Sequence, residues 1–491
     1  MQTFSYSSQN IEPQNNFKKF DIDISLCLLL AFSLPITNFI VSIFGIRIEP
    51  QRFLMTLCIL RMVIHICFTS TNELKRHKLL WKVFFPVLIV IVYAFFLSLF
   101  QPDYIESIRT ASQSDIYGFI FKRATKYLSY LILSVYLALV LNSENKVHAV
   151  LCSLATALCI TEVLGLIQSF VFLVGGIDIL PINRSSITTD SIITQSVAIK
   201  FLGLNFLRIN SLTNEPKVLG IVTTFLLFMK LYWNRYRQNQ GFRMVRFLDS
   251  YMSTTLWLSL VVILLTFSGS GLISLSFGLA LFIFTSGKSI FSFKGNTLIY
   301  LTFFFAILVI LSIFSTTLSD KIDSFLQASI LRRLGGFTTD SSLESFYASV
   351  DPEDGAALYN ILNFPNAVIF GFGFGAYSNI SMVYYNLYYP DGFSPFSRSI
   401  LIETVFSVGV PGLIVLSYFL YKINIKFILR KHFLVNYPLQ LMLNQIVVIN
   451  FFLRTMEPVF FATLGILASI YLNHICLLRQ VQKSKLQHEI N

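Results

Sequence analysis

Long apolar segments alternate with short polar links along most of the chain. The segments are close to the ~20 residues that an α-helix needs to cross the hydrocarbon core of a membrane. Because lipid offers no hydrogen-bond partners for backbone N–H and C=O groups, such segments are expected to be helical. The pattern predicts about twelve membrane-spanning helices. They lie near residues 22–45, 49–68, 81–100, 119–141, 146–175, 216–233, 253–268, 270–286, 297–315, 399–420, 438–455 and 458–475.

One polar stretch, from about Ser315 to Ser397, is far longer than the other links. It divides the chain into nine predicted spans in residues 1–315, an insertion in residues 316–397, and three spans with a C-terminal tail in residues 398–491. Long insertions on a fixed scaffold commonly carry function. The predicted fold is therefore an all-α polytopic membrane protein with one large helical loop between helices nine and ten.

The insertion contains signals for helices of its own. Residues 318–334 carry an amphipathic stripe that ends at a glycine pair, and residues 341–344 form a capping box. A further helix is expected near residues 351–364, opened by an Asp-Pro pair and ended before the next proline. Glycine then alternates with phenylalanine from Gly371 to Gly375. A dinucleotide-binding loop needs a βαβ unit, so this repeat is interpreted as a tight turn backed by aromatic rings.

Composition excludes an ordinary soluble protein. Of the 491 residues, 55% are hydrophobic and 13% are charged, whereas soluble domains have about 25% charged residues. The net charge of +12 comes mostly from Lys and Arg in links on one side of the predicted membrane, which makes that side, with both termini, cytoplasmic. Residues 316–397 are then outside the cytoplasmic membrane. The pattern contains no soluble basic domain, so nucleic acid is not an expected partner.

Cysteine and histidine do not indicate a metal or redox site. The six cysteines lie in or beside apolar segments, without the spacing of a disulfide framework or a metal site. The six histidines fall inside predicted spans or on the cytoplasmic side. A histidine base is therefore not expected on the outer face, and neither a metal nor another cofactor is predicted.

Several basic residues fall on the outer face, where the distribution of charge does not explain them. One interpretation is that each reaches toward the membrane surface or forms a local ion pair. As a set, they suggest an anionic ligand at the outer surface, such as a lipid phosphate. They are Lys122, Arg123, Lys126, Arg184, Lys200, Arg208, Lys217, Arg332, Arg333, Arg398 and Arg454.

Two carboxylates on the outer side are candidates for proton transfer. Glu215 begins span six after Arg208, so the pair offers a cation for phosphate and a carboxylate that accepts a proton, although a capped helix start explains it equally well. Glu403 is predicted just inside the apolar slab, after Arg398. An intramembrane carboxylate indicates function unless it pairs with a basic neighbour.

Other spans carry charged residues that are open to a structural explanation. Arg61 and His65 are one helical turn apart in span two, nearer the cytoplasmic half, where structural pairing is favoured. Glu162 in span five and Glu457 beside Pro458 are compatible with either function or ion pairing.

Four short motifs follow one another in a distinctive order. They are Arg208…Ser211…Glu215-Pro216, the Leu265–Ser268 break, Leu358–Ile361 leading through Pro365 to Gly371–Gly375, and Ser407–Gly412. This order, over roughly residues 200–420, resembles the bacterial O-antigen polymerase and O-antigen ligase superfamily. Members often carry Ser-Arg where this chain has Ser268-Gly269, and the ligase histidine falls at about Arg398. These departures favour a polymerase.

The resemblance implies a membrane glycosyltransferase with a GT-C-like bundle in the bacterial cytoplasmic (inner) membrane. It would join undecaprenyl-diphosphate-linked oligosaccharide repeat units into O-antigen or capsular-type polysaccharide, without a nucleotide sugar or metal. Implied partners are membrane lipid and a chain-length regulator protein. Arginines would stabilise the leaving diphosphate, and Glu215 or Glu403 would accept the acceptor's proton. The predicted diphosphate-binding residues are Arg208, Arg333 and Arg398, with Arg123 and Arg184 secondary.

Two alternatives stay open at this level. A ligase would move finished polymer to a lipid or protein acceptor, and the lack of an outer histidine weighs against it. A flippase for lipid-linked oligosaccharide fits twelve spans, but transporters commonly have two related halves and charges at mid-membrane. This chain has no visible repeat, and a flippase needs no eighty-residue outer loop.

Overall fold

The computed structural model describes fifteen stretches of the chain, and most of their residues are helical. They are residues 21–37, 41–43, 46–48, 50–68, 74–100, 116–180, 198–201, 204–213, 215–240, 246–286, 352–388, 399–425, 443, 446–451 and 457–490.

Fourteen helices are described, numbered here in chain order. They are α1 (Ile22–Ser33), α2 (Pro50–Phe68), α3 (Leu74–Leu99), α4 (Ile116–Val140), α5 (Glu144–Gly175), α6 (Pro216–Gln240), α7 (Arg246–Thr254), α8 (Leu256–Leu265), α9 (Gly269–Ser286), α10 (Pro352–Asn363), α11 (Pro365–Phe370), α12 (Ala376–Tyr388), α13 (Ile400–Leu420) and α14 (Glu457–Ile490). A π-helical turn, Tyr421–Ile425, continues α13.

Two short antiparallel hairpins join helices at the bundle's ends. Strand β1 (Val41–Ile43) pairs with β2 (Ile46–Ile48), with Ser42 opposite Arg47. Strand β3 (Ala198–Phe201) pairs with β4 (Leu204–Leu207), with Ile199 opposite Phe206.

Helix length and hydropathy are consistent with a membrane protein. Three helical segments are long and apolar enough to cross a membrane: Lys78–Leu99, Glu144–Gly175 and Ile400–Ile423. The pair Phe247–Thr254 and Leu256–Leu265 is bent by 67° and adds a fourth if it forms one span. Shorter apolar helices cover Ile22–Ser33, Ser270–Leu279 and Pro458–Asn473. The number twelve stays a prediction, and the predicted span at 297–315 lies outside the described residues.

Hydrogen bonds between helices fix their relative directions. Helices α4 and α14 run parallel, since Ser134 Oγ donates to the Phe461 carbonyl at 2.6 Å and Asn473 Nδ2 donates to the Leu141 carbonyl at 3.1 Å. Helices α1 and α5 also run parallel, because Ser153 Oγ bonds the Leu28 carbonyl at 2.7 Å while the two N-termini meet. Each relative direction agrees with the alternation expected for consecutive spans.

Ion pairs and hydrogen bonds of charged side chains connect α1, α2, α4 and α5 at one end of the bundle. Asp23, in the first turn of α1, accepts two hydrogen bonds from Arg61 of α2, at 2.8 and 3.0 Å, and one from Tyr136 of α4 at 2.8 Å. Lys146 of α5 pairs with Asp21 at 3.1 Å. Arg61 is thus held structurally, as expected, and its partner is Asp23.

The described part of the insertion packs at the opposite end of the bundle. Backbone residues 370–374 touch Tyr93 and Ser98, near the end of α3. The ring of Phe374 stacks on Tyr127, in the middle of α4. Helix α10 begins and ends where the Asp-Pro pair and the next proline predict. The side of the membrane on which this end lies stays a prediction, and the helices expected near 318–334 and 341–344 lie outside the described residues.

A buried ion pair joins α5, α6 and α8. Lys230 Nζ donates to both carboxylate oxygens of Glu162, at 2.9 and 2.7 Å, and both side chains are fully buried. Ser259 Oγ and the Thr255 carbonyl lie 3.0 Å from the same ammonium group. The ring of Tyr251 covers it from 4.7 Å. Of the two interpretations of Glu162, ion pairing is the one that this geometry supports.

Candidate functional site

The first two sequence motifs meet beside α6. The backbone N–H of Ile209 donates to the Leu265 carbonyl at 3.4 Å, and the rings of Phe206 and Phe267 are 6.2 Å apart. The structure has the predicted break between α8 and α9, where Phe267 has a positive φ of 45°. The loop that carries Arg208 therefore packs against this break.

Gln168 of α5 holds that loop in place. Its side-chain oxygen accepts from the backbone N–H groups of Asn210 and Ser211, at 3.2 and 2.8 Å. Its amide nitrogen donates to Asn210 Oδ1 at 2.9 Å and to Asp178 Oδ1 at 2.7 Å. Ser211, at φ 51°, donates in turn to the Thr161 carbonyl at 2.6 Å. A network with this many buried bonds fixes the backbone from Asn210 to Thr213.

Glu215 lies between this loop and α6, and its backbone carbonyl accepts the first hydrogen bonds of the helix. Its carbonyl accepts from the N–H groups of Val218 and Leu219, at 3.0 and 3.1 Å, and from Thr213 Oγ1 at 2.9 Å. Its half-buried carboxylate pairs with Lys217 at 3.1 Å. The structural explanation of Glu215 accounts for all these contacts.

The last two motifs meet at the other candidate site, where the glycine-phenylalanine turn lies against a break in α13. Backbone N–H groups of Phe372 and Gly373 donate to the carbonyls of Phe406 and Ser407, at 2.9 and 2.8 Å. Pro411, four residues after Ser407, has no N–H and leaves that carbonyl without its helical donor. The N–H of Gly373 donates to this carbonyl instead, so the turn supplies the hydrogen bond that the helix lacks at this position.

Glycine is required on both sides of this contact. A Cβ atom on Gly371 would lie 2.5 Å from the Val408 carbonyl carbon, and one on Gly409 would lie 2.4 Å from the carbonyl carbon of Phe370. Both residues have positive φ, 75° and 61°. The expected aromatic-backed turn is therefore present, and its glycines serve close backbone packing.

We expect Gly409→Ala to destabilise the protein by about 2–4 kcal/mol. The backbone of Gly409, with φ 61° and ψ −166°, is in a region that only glycine adopts readily, and an added Cβ atom would also overlap backbone atoms of α11. Gly176→Ala is the control for an open position, since Gly176 is in the left-handed helical region, with φ 67° and ψ 10°, and nothing lies within 4 Å of its Cβ position. That control should cost about 1 kcal/mol. Thermal unfolding in detergent measures both, and equal losses would show that neither the overlap nor the backbone conformation of Gly409 adds to the cost.

A cavity of about 70 Å³ opens beside this contact, and Glu403 lines it. Helices α3, α4, α13 and α14 form its walls together with Phe374. Glu403 lies in the first turn of α13 and is 9% exposed. Among the lining residues, it carries the ionisable acid, and hydroxyl groups come from Tyr127, Thr404 and Ser407. The remaining walls are aliphatic or phenyl groups.

Aromatic rings form the side of the cavity nearest the insertion. Phe374 stacks on Tyr127, with centroids 5.4 Å apart and an interplanar angle of 11°. Phe461 stacks on Tyr130 at 5.4 Å. The ammonium group of Lys126 lies 5.7 Å from the Tyr127 ring centre. The pocket thus combines a carboxylate, hydroxyls and flat apolar faces, which suit a proton transfer to or from a hydroxyl-bearing ring.

The structure separates the two predicted carboxylates. Glu403 faces the cavity, whereas neither Glu215 nor Arg208 is among the described residues that line it. Arg123 is one turn before the cavity-lining Tyr127 on α4, and it is not among the described residues that line the cavity. Arg184, Arg333 and Arg398 lie outside the described residues, and their convergence stays a prediction.

Sequence reasoning missed most of the cavity wall. Tyr127, Ser407 and Phe374 come from three separated segments, and only the i, i+4 spacing of Glu403 and Ser407 signals a shared face. Tyr377, Tyr384 and Tyr385, from the tyrosine-rich run, are at most 2% exposed and form the core between α10, α12 and α13. Those rings are therefore not available to a ligand.

In the part of the chain that the structure describes, no group of three or more His, Cys, Asp or Glu residues could hold a metal ion. Comparison with models of known protein families finds no match to this chain. No curated protein matches it either. The superfamily resemblance therefore stays a prediction from four motifs, and the function is argued from the Glu403 cavity.

Proposed function

We propose that this chain is a membrane glycosyltransferase that polymerises undecaprenyl-diphosphate-linked oligosaccharide repeat units at the outer leaflet of the bacterial cytoplasmic membrane. The observation that carries the proposal is Glu403, a buried carboxylate beside hydroxyl and aromatic groups at the end of the bundle where the insertion packs. The product would be an O-antigen or capsular-type polysaccharide.

The proposed reaction forms one bond and breaks another. The acceptor's hydroxyl oxygen bonds to the anomeric carbon of the donor chain, and the bond from that carbon to the lipid diphosphate breaks. The diphosphate leaves with the electron pair, and the acceptor's proton passes to a carboxylate. A carboxylate in an apolar pocket, shielded from water, can accept this proton as the new bond forms.

Glu403 is the better candidate for the proton acceptor. Its side chain faces a cavity that can admit a hydroxyl group, whereas Glu215 begins a helix and pairs with Lys217. The hydrogen bond from Thr213 to the Glu215 carbonyl and the ion pair with Lys217 give Glu215 a structural role at the end of the loop. We therefore assign the base to Glu403 and a supporting role to Glu215.

Arginines would stabilise the leaving diphosphate. A guanidinium group offers fork-shaped hydrogen bonds and a permanent charge, which suit a phosphate in a partly dry site. Arg123 precedes the cavity-lining Tyr127 by four residues, and Arg398 precedes the cavity-lining Ile400 by two residues. Arg208, Arg184 and Arg333 complete the proposed set.

Loss of the gene tests the reaction class. Under the proposal, single lipid-linked repeat units persist and no long polysaccharide forms, as gel separation of extracted glycolipids would show. Long polymer that accumulates on the lipid carrier would instead indicate a ligase. Repeat units confined to the inner leaflet would indicate a flippase.

Arg398→Ala should lower polymer formation by about 10²–10³-fold, the cost of removing one group that stabilises developing charge. Arg398→Lys keeps the charge but loses the forked geometry, so intermediate activity is expected. Lys422→Ala, at the far end of α13, is the control for a general loss of positive charge. Normal chain length in Arg398→Ala would remove this arginine from the site.

A further inference from the structure

Helix α10 presents an apolar stripe that nothing in the described part of the protein covers. Leu358, Ile361 and Leu362 are 36%, 44% and 55% exposed. Their i, i+3, i+4 spacing places them on one face of the helix. The opposite face, with Ala356 and Asn360, is buried against α12. An exposed stripe of this kind indicates a contact with another apolar phase.

Helix α11 also exposes apolar side chains, and it contacts two candidate spans. Ile369 and Phe370 are 47% and 58% exposed. The Phe370 carbonyl accepts from Tyr93 of α3 at 3.2 Å, and its backbone lies against Gly409 of α13. Both spans are exposed and apolar next to these contacts, with Phe96 at 53% and Val410 at 43%.

The backbone of the following turn satisfies the main requirement for irregular structure within a membrane. Non-helical backbone at membrane depth is tolerated where protein pairs its polar groups. The N–H groups of Phe372 and Gly373 bond carbonyls of α13, and the N–H of Phe374 bonds Ser98 Oγ at 2.6 Å. The hydrogen bonds reach Ser407, seven residues after the start of the segment Ile400–Ile423 that can cross the membrane. Gly409, two residues further, packs against the backbone of Phe370 and Gly371.

We propose that α10 and α11 form a membrane-embedded segment, with their exposed apolar side chains inserted among the acyl chains of one leaflet. The occupant of these surfaces is bilayer lipid, because α11 packs on α3 and α13 next to apolar side chains that both spans expose. The described part of the insertion then lies in the membrane and not in water. This placement puts the turn that borders the Glu403 cavity within the membrane, and it holds whether or not the proposed sugar transfer is correct.

The test is spin-label accessibility in vesicles of phosphatidylethanolamine and phosphatidylglycerol. Leu362→Cys and Ile369→Cys are labelled in the full chain, and the parent chain is labelled in parallel to subtract signal from native cysteines. Oxygen concentrates in acyl chains, whereas a charged nickel chelate stays in water. We expect the ratio of oxygen to nickel accessibility at both positions to be close to that of Phe85→Cys on α3.

Asn142→Cys is the matched water control, since Asn142 is exposed in the link between α4 and α5. Its ratio should be several-fold lower than at Leu362. A ratio at Leu362 and Ile369 that matches Asn142 would overturn the proposal, because the segment would lie in water. Low accessibility to both reagents would also overturn it, since a protein partner or a second copy would then cover these surfaces.

Tryptophan quenching is an independent measurement that needs no cysteine. In Leu362→Trp, lipids brominated on their acyl chains should reduce the added fluorescence, whereas brominated lipids are not expected to quench a tryptophan that lies in water. Absence of quenching in a variant that unfolds at the parent's temperature would contradict the proposal.

Discussion

Glu403→Gln is expected to reduce polymer formation by about 10²–10⁴-fold, the range that general base catalysis contributes. Glutamine keeps the shape and hydrogen-bonding capacity of the side chain but cannot accept the acceptor's proton. Since Glu403 lies in the wall of a cavity of about 70 Å³ and is 9% exposed, water has little room to replace it. The assay is the rate of chain extension by purified protein in vesicles that contain lipid-linked repeat units.

Glu215→Gln is the matched control for this experiment. It removes the same charge from the start of α6, where the carboxylate pairs with Lys217 outside the cavity. Its activity should stay close to that of the parent. If Glu215→Gln is inactive while Glu403→Gln polymerises normally, the base has been assigned to the wrong carboxylate. Unfolding temperatures of both variants separate lost chemistry from lost structure.

Lys230→Ala is expected to lower the free energy of unfolding by about 3–5 kcal/mol, because it leaves Glu162 as a charge in the protein interior without its partner. Both side chains are fully buried, and Lys230 Nζ reaches two carboxylate oxygens, a carbonyl and a hydroxyl within 3.0 Å. Because these groups belong to α5, α6 and α8, the loss should loosen the contact among all three. Thermal or denaturant unfolding in detergent measures the effect.

A double variant distinguishes this explanation from simple loss of packing. Replacing both residues, as Glu162→Leu with Lys230→Met, removes the isolated charge and should recover much of the lost stability. Lys82→Met, at an exposed position on α3, should change stability by less than about 0.5 kcal/mol. A double variant as unstable as Lys230→Ala would mean that the ion pair is not the cause.

The sequence predicts the helical membrane character because twenty-residue apolar runs have one stable conformation in lipid. It also predicts the start and end of α10, since proline at each boundary acts locally. Helix partners are harder to predict, because a lipid-facing and a protein-facing surface are equally apolar. Ser134, whose hydroxyl bonds the Phe461 carbonyl at 2.6 Å, gives no local sign of that contact.

The candidate site was only partly predictable for a related reason. Glu403 stands out because a carboxylate inside an apolar segment is costly unless it has a role. Tyr127 and Phe374 are indistinguishable from the many other aromatic residues until the fold stacks them. The same holds for Gln168, an uncharged residue within a span, whose three hydrogen bonds to Asn210 and Ser211 of the Arg208 loop depend on tertiary contact.

The contact of Gly373 with the Ser407 carbonyl has a consequence for how the chain is made. Pro411 leaves this carbonyl unpaired within its own helix, and an unpaired carbonyl in hydrocarbon costs several kcal/mol. The ribosome synthesises Gly373 before Ser407, so the donor is already outside the ribosome when α13 emerges. Entry of α13 into the bilayer is therefore coupled to capture by an earlier segment, and deletion of residues 352–388 would impair biogenesis of the helix that follows.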